Sequence, residues 1–285
     1  MDQTIGNPVS WAMRHTVGTF SHVGSMARTV SGEEEQALPI VNSLSLQDLR
    51  DALAQGYDDF KTFRSDLIAV CTLYPIIGIC LAVMAFQGNL VHLIVPLITG
   101  FALLGPVASV GMYEMSRRRE AGQETNWLAI FEIIRSPNIG AIMVLAVMCF
   151  VLFAAWLGAA HIIYLMTIGT WPPESIGNFL ADVFGTPAGS VMMIVGTAVG
   201  FVFALVVLMI SIVSFPLLLE RRVGVPVAIA TSLRVVNENP VPAMAWGLIV
   251  AVSLTIGSIP ALLGLMVVLP ILGHATWHLY RKAVT

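Results

Sequence analysis

Six stretches of this sequence contain no Asp, Glu, Lys or Arg and are long enough to cross a lipid bilayer as helices. They comprise residues 67–86, 90–113, 139–168, 190–219, 243–259 and 261–280. A helix needs about 20 predominantly apolar residues to cross the hydrocarbon core. Only 11% of the chain is charged, against roughly a quarter in a soluble domain. We therefore predict an all-α membrane protein with six transmembrane helices.

All 14 basic residues lie in the segments on one side of this six-span arrangement. They are Arg14, Arg28, Arg50, Lys61 and Arg64 before the first span, Arg117, Arg118, Arg119 and Arg135 after the second, Arg221, Arg222 and Arg234 after the fourth, and Arg281 and Lys282 after the sixth. Basic residues near span ends are retained on the cytoplasmic side. The pattern predicts a bacterial inner-membrane protein with cytoplasmic N- and C-termini. An odd number of spans would place some of these basic residues on the other side of the membrane.

The cytoplasmic segments repeat one pattern three times. An amphipathic helix is expected within residues 39–66, where Ser45 and Asp48 resemble a capping pair, and shorter ones in NWLAIFEIIRSPN and PVAIATSLRVVNENP. Each is followed by a turn-like element, the first at residues 64–66, and then by two spans. The sequence thus predicts a domain over residues 67–285 made of three hairpins, each preceded by a cytoplasmic surface helix. The alternative is that hairpin proteins simply need basic, proline-rich turns, without a true repeat.

Two regions stand apart from this pattern. Residues 1–38 are polar and are expected to form a flexible tail. The long outer loop is expected to hold a short surface helix at residues 174–184, with Trp171 anchoring the adjacent span end in the headgroup layer. Trp277 and Tyr280 are predicted to be interface anchors at the end of the last span.

Five segments resemble a known bacterial family. They are GYDDF, LLGPVASVGMYEMSRR, IVGTAVGFVFALVVLMISIVSFPLLLER, AIATSLRVVNENP and VVLPILGHATWHLYRK. Over residues 40–283 the chain is similar to the integral-membrane proteins of the domain of unknown function 2189, some of which are labelled cytochrome c oxidase subunit I. The resemblance implies a membrane protein and, through that label alone, a respiratory partner. A haem-copper oxidase subunit places histidines on several helices at two depths, so this chain is not that catalytic subunit.

Four histidines in the spans are the candidate cofactor ligands: His274, His278, His92 and His161. His274 and His278 are four residues apart and share one helix face. Haem usually takes its two axial ligands from opposite faces and different helices. We predict no haem or metal at this pair, and expect His274 to bond to a neighbouring helix. His92 and His161 lie toward the outer ends of two spans, where they could approach each other, and we predict no cofactor there either.

The remaining motifs point away from catalysis. The sequence contains no GxSxG, HExxH or P-loop motif, so we predict that the protein is not an enzyme. Asp58 and Asp59 are adjacent and are expected on a solvated helix face. Cys71, Cys80 and Cys149 have no metal-ligand spacing and are expected to be packing residues. The spans lack a central charge, which disfavours ion-coupled transport but leaves open a passive pore for a neutral solute.

Small residues at every fourth position of the fourth span, Gly196, Gly200 and Ala204, allow close approach of another helix, from this chain or a partner. The sequence favours a non-catalytic accessory, assembly or scaffold subunit that contacts the lipid bilayer and another membrane protein, and no nucleic acid. A small-solute pore or transporter is the alternative. A haem- or metal-carrying electron-transfer protein is the third possibility.

Overall fold

The computed structural model describes residues 39–87, 90–123, 125, 132–169, 173 and 175–285. The predicted tail at residues 1–38, the predicted anchor Trp171 and most of the NWLAIFEIIRSPN segment lie outside the described residues. The helices are α1 Leu46–Cys71, α2 Leu73–Gln87, α3 Ile94–Gly100, α4 Gly105–Ala108, α5 Val110–Glu120, α6 Ile139–Thr167, α7 Ile176–Gly185, α8 Pro187–Ser211, α9 Ser214–Glu220, α10 Val225–Glu238, α11 Pro240–Ser258 and α12 Leu265–Ala283. The secondary structure elements of the described residues are helices, as predicted.

Four helical stretches in the described part of the chain are long and apolar enough to cross a membrane. They are Val91–Glu120, Ile139–Thr167, Pro187–Glu220 and Pro240–Ser258. These stretches coincide with the predicted second, third, fourth and fifth spans. Helices α2 and α12 cover most of the first and sixth predicted spans, which stay predictions.

The stretch Val91–Glu120 is a series of short helices instead of one continuous helix. Pro96 and Pro106 lack the backbone N–H that an uninterrupted helix would use, and the chain adopts tighter 3-10 turns at Val91–Leu93 and Phe101–Leu104. A neighbouring helix provides a donor, because the indole Nε1 of Trp156 lies 2.9 Å from the carbonyl oxygen of Pro96. Packing against α6 therefore helps to stabilise the irregular segment.

Helix α1 begins as the sequence predicted and ends later than expected. The backbone nitrogen of Ser45 donates to Asp48, and the backbone nitrogen of Asp48 donates to the hydroxyl of Ser45, which is a reciprocal capping box. The helix then continues through residues 64–66 to Cys71, so the turn-like element predicted there is wrong. The buried apolar residues of α1 are Leu49, Ala52, Phe60, Phe63 and Cys71.

Helices α1 and α12 cross at very short range. A Cβ atom added to Gly56 would lie 2.5 Å from the backbone nitrogen of Ala275, which no real Cβ tolerates. Only a residue without a side chain fits here. The contact brings the N-terminal helix of the described chain against the C-terminal one.

The two ends of the described chain lie side by side. Val41 and Val284 form an antiparallel bridge, and the backbone nitrogens of Ile40 and Thr285 each donate to the carbonyl oxygen of the other. Both ends are therefore on the same side of the helical bundle.

Candidate functional site

The C-terminal half of α12 is buried within the protein at the end of the bundle where Arg117, Arg118, Arg119, Arg221 and Arg281 lie, which we call the basic end. His274 is fully buried, and its Nδ1 lies 2.7 Å from the hydroxyl oxygen of Ser116 on α5. The expectation that His274 bonds to a neighbouring helix is confirmed. Its Nε2 is buried without a hydrogen-bond partner among the described residues.

Asp59 of α1 is the acceptor at the centre of this cluster. Its Oδ2 accepts a hydrogen bond of 2.5 Å from the hydroxyl of Ser116 and lies 2.9 Å from Nε2 of His278. The guanidinium of Arg119 donates to the other carboxylate oxygen. Only 4% of Asp59 is exposed, so the expectation of a solvated Asp58-Asp59 face is wrong for Asp59. Three donors satisfy the carboxylate, which is why it can be buried.

The electrostatics keep Asp59 ionised. Burial alone would raise the pKa of this carboxyl, but the hydrogen bonds from His278 and Ser116 outweigh it and lower the pKa to about 2. The hydroxyl of Ser116 has one proton, which it donates to Asp59, so His274 must carry its proton on Nδ1 to bond the same oxygen. The cluster thus joins α1, α5 and α12 in one continuous set of hydrogen bonds.

The rings of Trp277 and Tyr280 lie inside the protein, which differs from the anchoring role that the sequence predicted. Trp277 is 1% exposed and its Nε1 donates to Oε2 of Glu120 at 3.0 Å. Tyr280 is fully buried and its hydroxyl donates to Glu220. Arg281 bridges the same two carboxylates at 3.0 Å and 2.8 Å. A headgroup anchor needs an exposed ring, and here the polar atoms bind carboxylates of the same chain.

No group of three or more His, Cys, Asp or Glu side chains in the described residues is arranged to hold a metal ion. At the basic end, the Nδ1 of His274 and the Nε2 of His278 already take part in hydrogen bonds. A metal there would have to replace these contacts. The prediction of no cofactor stays a prediction.

The second histidine pair lies at the opposite end of the bundle from the basic end. The Nε2 of His92 lies 2.8 Å from Nδ1 of His161, and the ring of His92 stacks on Tyr164 at a centroid distance of 4.1 Å. The structure therefore brings together two residues that the sequence could place only at similar span ends. His92 is 6% exposed, and its Nδ1 has no hydrogen-bond partner in the described part of the protein.

His92 also lines a cavity of about 1100 Å³ between the helices. The other described lining residues are mainly apolar and come from α2 to α4, α6 to α8, α11 and α12; they include Pro96, Phe101, Val107, Phe150, Trp156, Phe179, Gly196, Gly200, Ala204, Leu254 and Leu269. No charged side chain is among the described residues that line it. Ligand sites typically occupy about 300 to 1,000 Å³, so this cavity is large enough for a sizeable apolar molecule.

The small residues of α8 border this cavity. A Cβ added to Gly196 would meet no atom within 4 Å, whereas one added to Gly200 would lie 3.0 Å from the ring of Trp156 on α6. The Trp156 side chain therefore packs closely against Gly200, whereas the space beside Gly196 is open. The role of Gly196, Gly200 and Ala204 in contacting a further helix stays a prediction.

The central region of the chain is similar to a known protein family. Residues 94–220 match the family described as predicted integral membrane protein (DUF2189). The resemblance that the sequence motifs indicated is confirmed for this region. No curated protein and no solved structure matches the chain.

The DUF2189 match contains some members of each histidine cluster and excludes others. It includes Ser116, His161 and the stripe of α8, while Asp59, His274 and His278 lie on either side of it. His92 lies just before the first matched residue. Both clusters are therefore assembled by folding the flanking segments against the DUF2189 region.

Sequence reasoning missed the partners of the histidines. Asp59 was assigned to solvent because the helical spacing groups it with Asp51, Asp58 and Lys61, opposite the apolar residues of α1. A signal was present in the spacing: Gly56 and Phe60 share the helix face that Asp59 flanks, and both meet α12 or its neighbours. Only the identity of the facing helix was lacking.

Proposed function

We propose that the protein is a non-catalytic inner-membrane protein that binds a lipid-soluble molecule in the cavity between its helices. The observation that carries this proposal is the cavity of about 1100 Å³ with an apolar, uncharged lining. Apolar lining with few polar groups is typical of sites for hydrophobic ligands. A molecule dissolved in the bilayer could enter from the side, without crossing water.

The shape of the bundle favours a binding site over a pore. At the basic end, packing is dense: a Cβ added to Gly273 would lie 2.9 Å from the Cβ of Met112, and Tyr113, Phe215 and Leu218 are fully or almost fully buried. A pore for a small solute would need a continuous path past these side chains. The described residues that line the cavity also include no charged group that would couple transport to an ion. A small-solute pore or transporter remains the weaker alternative.

For the topology we propose six spans as three hairpins, with both termini in the cytoplasm. The pairing of residues 40–42 with residues 283–285 supports an even number of crossings. The clustering of Arg117, Arg118, Arg119, Arg221 and Arg281 at one end supports a cytoplasmic location for that end. A reporter enzyme that works only in the cytoplasm should be active when it is fused after Thr285. Activity of a reporter that works only outside the cytoplasm would contradict this topology.

The binding proposal is tested by filling the cavity. Gly196→Phe places a ring into space where no atom lies within 4 Å of the new Cβ. Gly158→Phe is the matched control, because Gly158 is an exposed glycine of α6 that also has open space around it and does not line the cavity. Mass spectrometry of the intact protein, released from lipid nanodiscs, measures bound lipid-soluble molecules.

The wild type and Gly158→Phe should retain a bound molecule that Gly196→Phe loses. Equal retention by all three proteins, or no bound molecule in any, would contradict the proposal. Both variants should unfold at a similar temperature, since each adds a ring to an unoccupied position.

A second candidate function is the accessory or scaffold role, in which a helix of another membrane protein packs on α8. The open space at Gly196 within the small-residue stripe favours it, because small residues let helix backbones approach closely. A respiratory complex is a candidate partner only through the label carried by some family members. This role predicts a stoichiometric companion in mild detergent that Gly196→Phe loses and Gly158→Phe keeps, and a protein that always purifies alone would contradict it.

A further inference from the structure

Most of the positive charge at the basic end is neutralised by carboxylates of the same chain. The pairs are Arg117 and Arg118 with Glu114, Arg119 with Asp59, Arg281 with Glu120 and Glu220, and Lys282 with Asp48 and Asp51. A carboxylate in contact with a basic group offsets its charge. These side chains therefore attract a further anion only weakly.

Two arginines at the same end differ from this pattern. Arg135 and Arg222 are exposed, and neither forms an ion pair with an acidic side chain among the described residues. Glu132, three positions before Arg135, bonds instead to Arg118 at 2.6 Å. Glu220, two positions before Arg222, accepts from two side chains of α12. The positive charges of Arg135 and Arg222 are thus available to an external anion.

The buried side chain of Asn138 connects the two segments that carry these arginines. Its Nδ2 donates to the carbonyl oxygens of Leu218 at 2.7 Å and of Arg221 at 3.0 Å. Arg135 precedes Asn138 by one helical turn, and Arg222 directly follows Arg221. Since Asn138 is only 3% exposed, this contact lies inside the protein and holds the two segments beside each other.

Both arginines lie where the headgroups of a bilayer begin. The membrane-spanning stretch Ile139–Thr167 starts shortly after Arg135, and the stretch Pro187–Glu220 ends shortly before Arg222. Lipid phosphates occupy the layer just outside the hydrocarbon core. Ile134, next to Arg135, is 66% exposed. An apolar side chain beside an unpaired cation matches the boundary between acyl chains and headgroups.

We infer that Arg135 and Arg222 form a binding site for the phosphate of an anionic phospholipid. Guanidinium groups donate charge-assisted hydrogen bonds to phosphate oxygens, and the net positive charge selects an anionic lipid over a zwitterionic one. The exposed Ile134 favours a lipid over a soluble phosphate compound, because acyl chains cover it. The site is separate from the apolar cavity, whose described lining includes neither arginine.

Native mass spectrometry of the full-length protein in mild detergent measures this binding directly. The protein is titrated with dioleoyl phosphatidylglycerol, and the dissociation constant of the complex with one lipid is recorded. Dioleoyl phosphatidylcholine is the control lipid, because it has the same chains and a phosphate but no net charge. Each arginine near a membrane surface strengthens the binding of an anionic lipid about fivefold, so the wild type should prefer phosphatidylglycerol by about 25-fold.

Single variants test whether the site is local. Arg135→Gln and Arg222→Gln should each weaken the binding of phosphatidylglycerol about fivefold and leave that of phosphatidylcholine unchanged. Arg50→Gln is the matched control, because Arg50 is exposed on α1 and has no ion pair among the described residues. It should bind phosphatidylglycerol as the wild type does. Equal weakening by all three variants would show that the lipid responds only to total charge and would overturn the site.

Inorganic phosphate distinguishes a lipid from a soluble ligand. Added in molar excess, it should leave the phosphatidylglycerol complex intact, because it has no acyl chains to cover Ile134. Displacement of the lipid by phosphate from the wild type would assign the two arginines to a soluble phosphate compound and overturn the lipid proposal. Equal affinity of the wild type for phosphatidylglycerol and phosphatidylcholine would overturn it as well.

Discussion

The Nε2 atom of His278 lies 2.9 Å from Oδ2 of Asp59, and this contact joins the last helix of the chain to the first helix of its described part. The same carboxylate accepts from Ser116 and Arg119, so one side chain links three helices. A histidine pair that resembles a cofactor site in the sequence is, in the structure, part of the bonding that holds the basic end together.

Replacing Asp59 by Asn should destabilise the protein by about 2 to 3 kcal/mol, because buried hydrogen bonds to a charged acceptor are lost or weakened. The matched control is Asp58→Asn, since Asp58 is its neighbour and forms an exposed pair with Lys61 at 2.7 Å. That change should alter stability by less than about 0.5 kcal/mol. Thermal unfolding of the purified protein measures both, and equal effects would contradict a structural role for Asp59.

Acid should weaken the same contact in a defined range. The pKa of Asp59 is about 2 in the folded protein, against 3.8 for an ordinary aspartate, so the unfolded chain takes up its proton first as the pH falls. The stabilisation is complete above pH 3.8 and is lost toward pH 2, by up to about 2 kcal/mol. Thermal unfolding of the wild type should fall more steeply across this range than that of Asp59→Asn. Parallel curves would show that the titration of Asp59 does not contribute.

Substituting Gly56 by Ala should separate α1 from α12. The new Cβ would lie 2.5 Å from the backbone of Ala275, and neither helix can yield without moving its neighbours. A loss of about 2 kcal/mol or more is expected from overpacking of this kind. Gly158→Ala, in open space on α6, should be neutral or slightly stabilising, because alanine favours helices by up to about 1 kcal/mol. The melting temperatures of Gly56→Ala and Gly158→Ala, measured in the same detergent, test this prediction, and equal values would contradict it.

The side chain of Asn239 forms two hydrogen bonds with the N-terminal end of the described chain. Its Oδ1 accepts from the backbone nitrogen of Leu44 at 2.6 Å, and its Nδ2 donates to the carbonyl oxygen of Asn42 at 3.1 Å. Asn239→Ala should remove both bonds, cost about 1 to 3 kcal/mol and increase proteolysis near residue 42. Asn237→Ala is the control, since Asn237 lies two residues earlier, near the end of α10, and is exposed. Equal proteolysis of both variants would show that these bonds do not hold the segment.

Several elements could be predicted because their causes are local. The capping pair of Ser45 and Asp48 acts over three residues, and Pro226 lies in the first turn of α10 as its fixed backbone angle predicts. The four long apolar helices follow from uninterrupted runs of apolar residues. Each of these features depends on residues that are adjacent along the chain.

The features that were missed depend on distant residues. Ser116 and His278 are 57 and 219 positions from Asp59, and nothing in the pattern around Asp59 specifies which helix faces it. The same holds for Trp277 and Tyr280, whose partners Glu120 and Glu220 are 157 and 60 positions away. Aromatic residues at a span end are typical of membrane interfaces, and only the packing of α12 against α5 and α9 encloses them.

The sequence by itself determined that this chain is a helical membrane protein, because apolar length and the near absence of charge leave a bilayer-spanning helix as the stable arrangement of such segments. The tertiary structure alone decided which polar groups are buried together. Asp59 and His274 could be buried only because other helices provide their partners, and the apolar cavity beside His92 exists only where α6, α8 and α11 remain apart.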